Sequence, residues 1–260
     1  MSYEFIQYEI AEDGIALVTL NRPERLNTLN GTLLDELADA VKRIERDDDV
    51  RVFLLTGAPR LDGRPCFGAG VDLRCFEEGR PVDGHQGFTL TNDIDDLLKP
   101  SIALVDGVCS TGSVELALAC DFRLVGEAAQ ISDWHLKHLG TGLGGWGGST
   151  RWSHLVGTTN AKEIILTGKV VDAADAVRMG FASYRHPSEE LREAGLRMAR
   201  SIVGMKAEGV RLCLAHLDRN RDMSRDQALR WAQLAPKWLG VSTQIESKGK
   251  DVLSRVKDGD

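Results

Sequence analysis

Lys99-Pro-Ser-Ile-Ala-Leu-Val-Asp-Gly-Val-Cys-Ser-Thr-Gly-Ser-Val-Glu-Leu-Ala-Leu-Ala-Cys-Asp-Phe-Arg-Leu-Val125 is the stretch on which the fold turns. Ser101 to Asp106 is a short apolar run behind a proline and reads as a buried strand. A glycine-bearing turn follows. Glu115 to Cys120 is then too small and too apolar to be anything but a buried helix. Phe122-Arg-Leu-Val125 returns as a strand. Strand, turn, buried helix and strand in such a short span is the pattern of an α/β protein.

The flanking sequence extends the pattern. Residues 5–10 and 15–20 read as two strands around Asp13-Gly14, a hairpin signal. From about Leu33, the residues Leu33, Leu37, Ala40, Val41 and Ile44 recur at helical spacing, and Asp47-Asp48-Asp49 ends that helix. Val52 to Thr56 is a further buried strand, closed by Gly57. Residues 57–70 form a long loop rich in Gly and Pro, a kind that is usually functional. Residues 76–92 are polar and Gly-containing and are expected to be mobile. From residue 158 the chain reads as almost only helices. Thr158 or Thr159 caps one that runs to about Leu166, and Asp172 caps the next, which ends near Gly180. Residues 188–203, 206–220, 224–238 and 242–256 complete the set, with Pro236 as a kink. No low-complexity linker separates the halves. The expected organisation is an α/β core over residues 1–195 with a helical C-terminal region over 196–260.

Composition narrows the function classes. The chain has 260 residues, 42% hydrophobic and 27% charged, an ordinary globular balance that needs neither disulfide nor metal to hold a core. The formal net charge of −7 argues against a nucleic-acid binder. It leaves room for a small anionic ligand held by placed Arg residues and backbone N–H groups. The five cysteines are odd in number and contain no CxxC pair, which fits a reducing, cytoplasmic compartment. No secretory signal and no apolar run of membrane-spanning length is visible.

Three glycine-bearing segments can carry chemistry: Cys66-Phe-Gly-Ala-Gly-Val-Asp-Leu73, Gly107 to Glu115, and Gly140-Thr-Gly-Leu-Gly-Gly-Trp-Gly-Gly148. Glycine lets backbone approach a ligand, and unpaired N–H groups from two segments make an oxyanion hole. Plain turns that need glycine are the alternative. Glu115 opens an apolar helix, where its charged form is disfavoured and its pKa raised, which suits acid/base work. A capping carboxylate is the other reading. Gly140, Gly142 and Gly145 spell GxGxxG, but Trp134-His-Leu-Lys-His-Leu139 before them is no first strand of a dinucleotide fold. Asp133, His135 and His138 lack a further ligand at convincing spacing, so no metal is expected. No GxSxG elbow exists.

Taken together the segments resemble the crotonase family, the enoyl-CoA hydratase/isomerase group. Asn21-Arg-Pro-Glu-Arg-Leu-Asn-Thr-Leu29, Phe67-Gly-Ala-Gly-Val-Asp72, Lys99 to Gly107, Gly112 to Asp121, Gly147-Gly-Ser-Thr-Arg151 and Leu166-Thr-Gly168 match its motifs in order. The resemblance implies a spiral of ββα turns with C-terminal helices used in a homotrimer or a hexamer. It implies a coenzyme A thioester as substrate, with no separate cofactor. The N–H groups of Val71 and Gly112 are then the oxyanion hole, and Glu115 is the principal acid/base. Arg25, Leu26, Ala69, Asp72, Leu73 and Arg74 fall where the family meets CoA.

The departures bear on the reaction. Hydratases of the family usually carry a second glutamate before the third glycine segment. Here Ile131-Ser-Asp-Trp-His135 occupies that stretch, and His135 stands where the glutamate is expected, with Asp133 able to orient it. The alanine of the family's glycine segment is Trp146, and Trp134, Trp146 and Trp152 can reshape an acyl pocket. The leading expectation is hydration of a 2-enoyl-CoA, with double-bond isomerisation beside it. Hydrolysis of a C–C or thioester bond by His135 and Asp133, and a CoA-thioester binder without activity, are the alternatives.

Overall fold

The computed structural model describes residues 3–238 together with 249, 252, 253 and 256. The chain forms two compact units, residues 1–204 and 205–260.

In the first unit β1 (Ile6–Glu12) and β2 (Ile15–Leu20) make the antiparallel hairpin the sequence signals. Helix α1 (Gly31–Arg46) starts before Leu33 because the Asn30 side chain accepts the Leu33 N–H at 2.8 Å. Its apolar stripe, Leu33 to Ile44, is buried. Lys99 closes the other end of α1, donating from Nζ to the carbonyls of Ile44 and Asp47, both at 2.6 Å.

Three ββα turns follow. The first is β3 (Val52–Gly57), β4 (Cys66–Gly68), α2 (Arg74–Glu77) and α3 (Gly84–Asp95). The second is β5 (Ser101–Val105), β6 (Val108–Ser110) and α4 (Gly112–Ala119). The third is β7 (Phe122–Gly126), β8 (Gln130–Ser132), α5 (His135–Leu139) and α6 (Gly148–Thr167). In each turn the first strand joins one sheet and the second joins another. The large sheet has the order β1-β2-β3-β5-β7-β10 and the small one β4-β6-β8-β9, with β9 (Val170–Asp172) and β10 (Tyr184–His186) on either side of α7 (Ala173–Met179). From β2 to β10 the large sheet is parallel. Its inner strands β2, β3, β5 and β7 are buried on both faces, which is why they read as unbroken apolar runs. One face packs on α1 and α4. On the other, Leu17, Leu54, Leu104 and Leu124 meet Leu191, Ala194 and Ala199 of α8 (Leu191–Val203).

Several expectations need correction. The segment 76–92 is not an open mobile loop, because α3 begins at Gly84 and buries Leu90, Thr91 and Ile94. The long loop 57–70 contains β4. Gly157, at φ +78° and ψ 155°, breaks the run Gly148–Thr167 into two helices, so the helix expected from Thr158 or Thr159 is present, while the one before it, from Gly148, was not expected. The second half also contributes β9 and β10, of three residues each, too short for a periodicity to show. The compact first unit runs through Gly204, with α8 packed on the large sheet.

In the second unit α9 (Ala207–Arg219) and α10 (Arg225–Trp238) pair through the stacked rings of His216 and Trp231, 4.9 Å apart. Pro236 lies within the last turn of α10. The helix expected over 242–256 lies largely outside the described residues. No helix among the described residues is long and apolar enough to cross a membrane.

Candidate active site

The site grows from the start of α4. Thr111 holds φ +47°, a conformation that side-chain-bearing residues resist. Its N–H donates to the Ser132 carbonyl at 3.1 Å, which fixes the helix start against β8. Gly70 takes φ +89°, and a Cβ there would overlap the Thr111 hydroxyl, so only glycine fits. The Gly70 N–H donates to Ser113 Oγ at 3.0 Å, joining the first two glycine segments. The first N–H groups of α4, Gly112 among them, have no partner within the helix and point outward.

Val71 is held from the other side. The Leu29 N–H donates to the Gly70 carbonyl and the Leu29 carbonyl accepts the Asp72 N–H, both at 2.8 Å, so the Val71 N–H stays out of the bridge. Asn27 organises this rim. Its side chain accepts the Arg22 N–H at 2.9 Å and donates to the carbonyls of Ala58 and Cys66. Arg22 Nη2 meets Asp72 Oδ2 at 3.0 Å in a buried ion pair. The spacing of Asn21-Arg-Pro to Asn27 holds both residues, yet the sequence alone did not give their roles.

Glu115 is 1% exposed. Its Oε1 accepts the N–H groups of Trp146 at 2.8 Å and Gly148 at 2.9 Å. Oε2 stands 3.6 Å from His135 Nε2, too far for a direct hydrogen bond and close enough for one water to touch both. His135 Nδ1 lies 2.8 Å from Asp133 Oδ1, so the carboxylate fixes the tautomer that leaves Nε2 turned to Glu115. The three residues expected to work together are thus one chain of polar groups.

Their electrostatics follow from burial and pairing. Burial raises the Glu115 pKa, and the His135 charge and the two backbone N–H groups only partly offset it. Burial works the other way on His135, but the hydrogen bond to Asp133 and the Glu115 charge outweigh it and leave its pKa raised. The two groups therefore share protons as a coupled pair.

A largely apolar cavity of about 390 Å³ opens beside this chain. Leu26, Ala69, Val71 and Leu73 line it together with Thr111, Trp134, His135 and His138. Glu115 is not among the residues of the lining. Arg25 and Arg74 also fall outside it, the latter exposed on α2. The Asp72 carboxylate is taken up by Arg22 and by the Arg74 N–H at 3.2 Å. Of the three tryptophans expected in the pocket, only Trp134 lines it. Trp152 is fully buried against Phe181 at 5.1 Å, and Trp146 is wedged between α3 and α4. Among the described residues no group of three His, Cys, Asp or Glu side chains is placed to hold a metal ion.

With this geometry in hand, comparison with known proteins is specific. The family model described as enoyl-CoA hydratase/isomerase matches residues 10–251. A probable enoyl-CoA hydratase of Rhizobium meliloti is 33% identical over 89% of this chain and 88% of its own. The crystal structure of an enoyl-CoA hydratase from Bacillus anthracis superposes with a TM-score of 0.85 at 27% identity, covering 97% of this chain and 96% of the other. A monofunctional enoyl-CoA isomerase from M. smegmatis superposes with a TM-score of 0.74 at 31% identity, over 86% and 98% of the two chains.

Proposed function

Since the chain belongs to the enoyl-CoA hydratase/isomerase family, we propose that it adds water across the double bond of a 2-enoyl-CoA thioester. The observation that carries the reading is the pair Glu115–His135, with polar atoms 3.6 Å apart beside an apolar cavity. The N–H groups of Val71 and Gly112 donate to the thioester oxygen as it becomes an enolate, each donor contributing about 3–4 kcal/mol to the transition state. The reacting water contacts both Glu115 Oε2 and His135 Nε2 from one side of the pair. Its oxygen bonds to the β-carbon while the unprotonated member of the pair takes its proton. The protonated member delivers a proton to the α-carbon on the same face. The pair starts and ends with one proton, so nothing is consumed but water. Leu26, Ala69 and Leu73 form the CoA wall of the cavity, with Arg25 and Arg74 as cations for its phosphates. CoA enters as part of the substrate, and no other cofactor takes part. The working form is a cytoplasmic homotrimer or hexamer, a reading that comes with the family.

Loss of the ultraviolet enoyl-thioester band from crotonyl-CoA tests the reaction, and appearance of that band from a 3-enoyl-CoA reveals isomerisation by the same pair. The short Asp133–His135 bond favours a second reading, attack of water on the thioester carbonyl. Release of free CoA thiol from either substrate marks that outcome.

A one-proton pair also fixes the pH dependence. Activity is lost when both groups are protonated and when neither is. The acid limb of kcat/KM is expected above the ordinary glutamate value of 4.5 and the alkaline limb above the ordinary histidine value of 6.5, since both are raised. Asp133→Asn removes the group that chiefly raises His135, so its alkaline limb is expected to move to lower pH. An unmoved limb in that variant would remove His135 from the proton chain.

A further inference from the structure

We propose that the indole of Trp146 ends the acyl pocket and restricts the enzyme to short acyl chains. The inference rests on the thioester orientation of the proposed reaction, with the carbonyl at Val71 and Gly112. A thioester is extended through its carbonyl. CoA occupies one side and the acyl chain leaves on the other. Leu26, Ala69 and Leu73 line the cavity, while Gly112 and Trp146 are not part of its lining. Beyond Gly112 the way is filled. A Cβ built on Gly112 would lie 2.7 Å from Trp146 Cζ3, so the indole rests directly against the α4 backbone that would donate to the substrate oxygen. A Cβ on Gly87 would overlap the same ring from the α3 side. The indole therefore lies against the backbones of both α3 and α4 and is 3% exposed.

The backbone of Trp146 gives it little freedom to swing aside. Its N–H is bound to Glu115 Oε1 at 2.8 Å. Its carbonyl accepts from Thr91 Oγ1 at 3.0 Å and from Arg151 Nη1 at 2.6 Å. Arg151 is itself held by Asn92 at 2.8 Å and Asp95 at 3.1 Å. The wall is thus tied to the acid/base residue, to α3 and to α6 at once. Carbons beyond the first few of an acyl chain meet an indole that the surrounding structure does not release.

The test uses saturated acyl-CoAs, which bind without reacting, so pocket length is read apart from turnover. Calorimetric affinities of butyryl-CoA and octanoyl-CoA are compared in wild type, Trp146→Leu and Trp146→Ala. Wild type is expected to gain nothing from the longer chain. In the variants the ratio of octanoyl to butyryl affinity is expected to rise by about tenfold or more, the effect of burying a few methylenes. Trp146→Leu gives the same direction with a smaller cavity, should the alanine variant fold poorly. A wild type that already binds octanoyl-CoA more tightly, or an unchanged ratio in both folded variants, overturns the proposal. If no enoyl-CoA is hydrated but the ratio shifts as stated, the reaction assigned above is wrong and the wall stands. If no acyl-CoA binds at all, both fall.

Discussion

Glu115→Gln is expected to lower kcat for crotonyl-CoA hydration by about 10²–10⁴-fold, the usual contribution of a positioned acid/base group. The amide has the shape of the carboxylate. Its oxygen can still accept the Trp146 and Gly148 N–H groups now bound at 2.8 and 2.9 Å, so the site keeps its geometry. What it loses is the ability to take and return a proton. Binding of saturated acyl-CoA is expected to persist, which separates a lost step from a lost site. Stability gives a second readout. Because burial raises the Glu115 pKa in the folded protein, the stabilisation it brings is present at acid pH and is lost as pH rises through that raised value. At neutral pH the glutamine variant is therefore expected to melt no lower than wild type. Normal turnover in a folded, acyl-CoA-binding variant would falsify the role given to Glu115.

Asp72→Ala is expected to carry the largest cost in stability. Its partner Arg22 is buried, and removing the carboxylate leaves a guanidinium without its counter-charge, at a cost of about 3–5 kcal/mol. For a chain of this size that corresponds to a drop in Tm on the order of 10 °C. The same change loosens the rim that holds the Val71 N–H, so kcat should fall in the fraction that remains folded. Replacing both partners with apolar residues, Arg22→Met with Asp72→Leu, is expected to restore much of the loss, because no buried charge is stranded. A double variant as unstable as the sum of the single ones would show that the two residues are not coupled, and would rule out the stranded charge as the cause.

Much of this molecule was legible in its residues. The run from Lys99 to Val125 gave strand, glycine turn, buried helix and strand in the places where β5, α4 and β7 lie, because strands buried on both faces leave an unmistakable apolar run. The proximity of Glu115 to His135 followed from motif order. What escaped had physical reasons. Helix α3 has weak amphipathicity and two glycines, and Gly87 serves only to admit Trp146, a contact far away in sequence. Trp152 looked like a pocket residue, yet nothing local distinguishes a core indole from a lining one. Asp72 looked like a ligand contact beside Leu73 and Arg74. Its side chain turns instead to Arg22, a pairing that only the folded chain brings together.

The Ser113 hydroxyl that accepts the Gly70 N–H has a thermodynamic consequence. It links the two backbone segments that present Val71 and Gly112, so the spacing of these proposed donors is set by the protein before any ligand arrives. The conformational entropy lost in bringing them together falls on folding rather than on association. In the reaction proposed above, an acyl-CoA that enters meets donors already aimed, and its affinity is not reduced by a loop-ordering step.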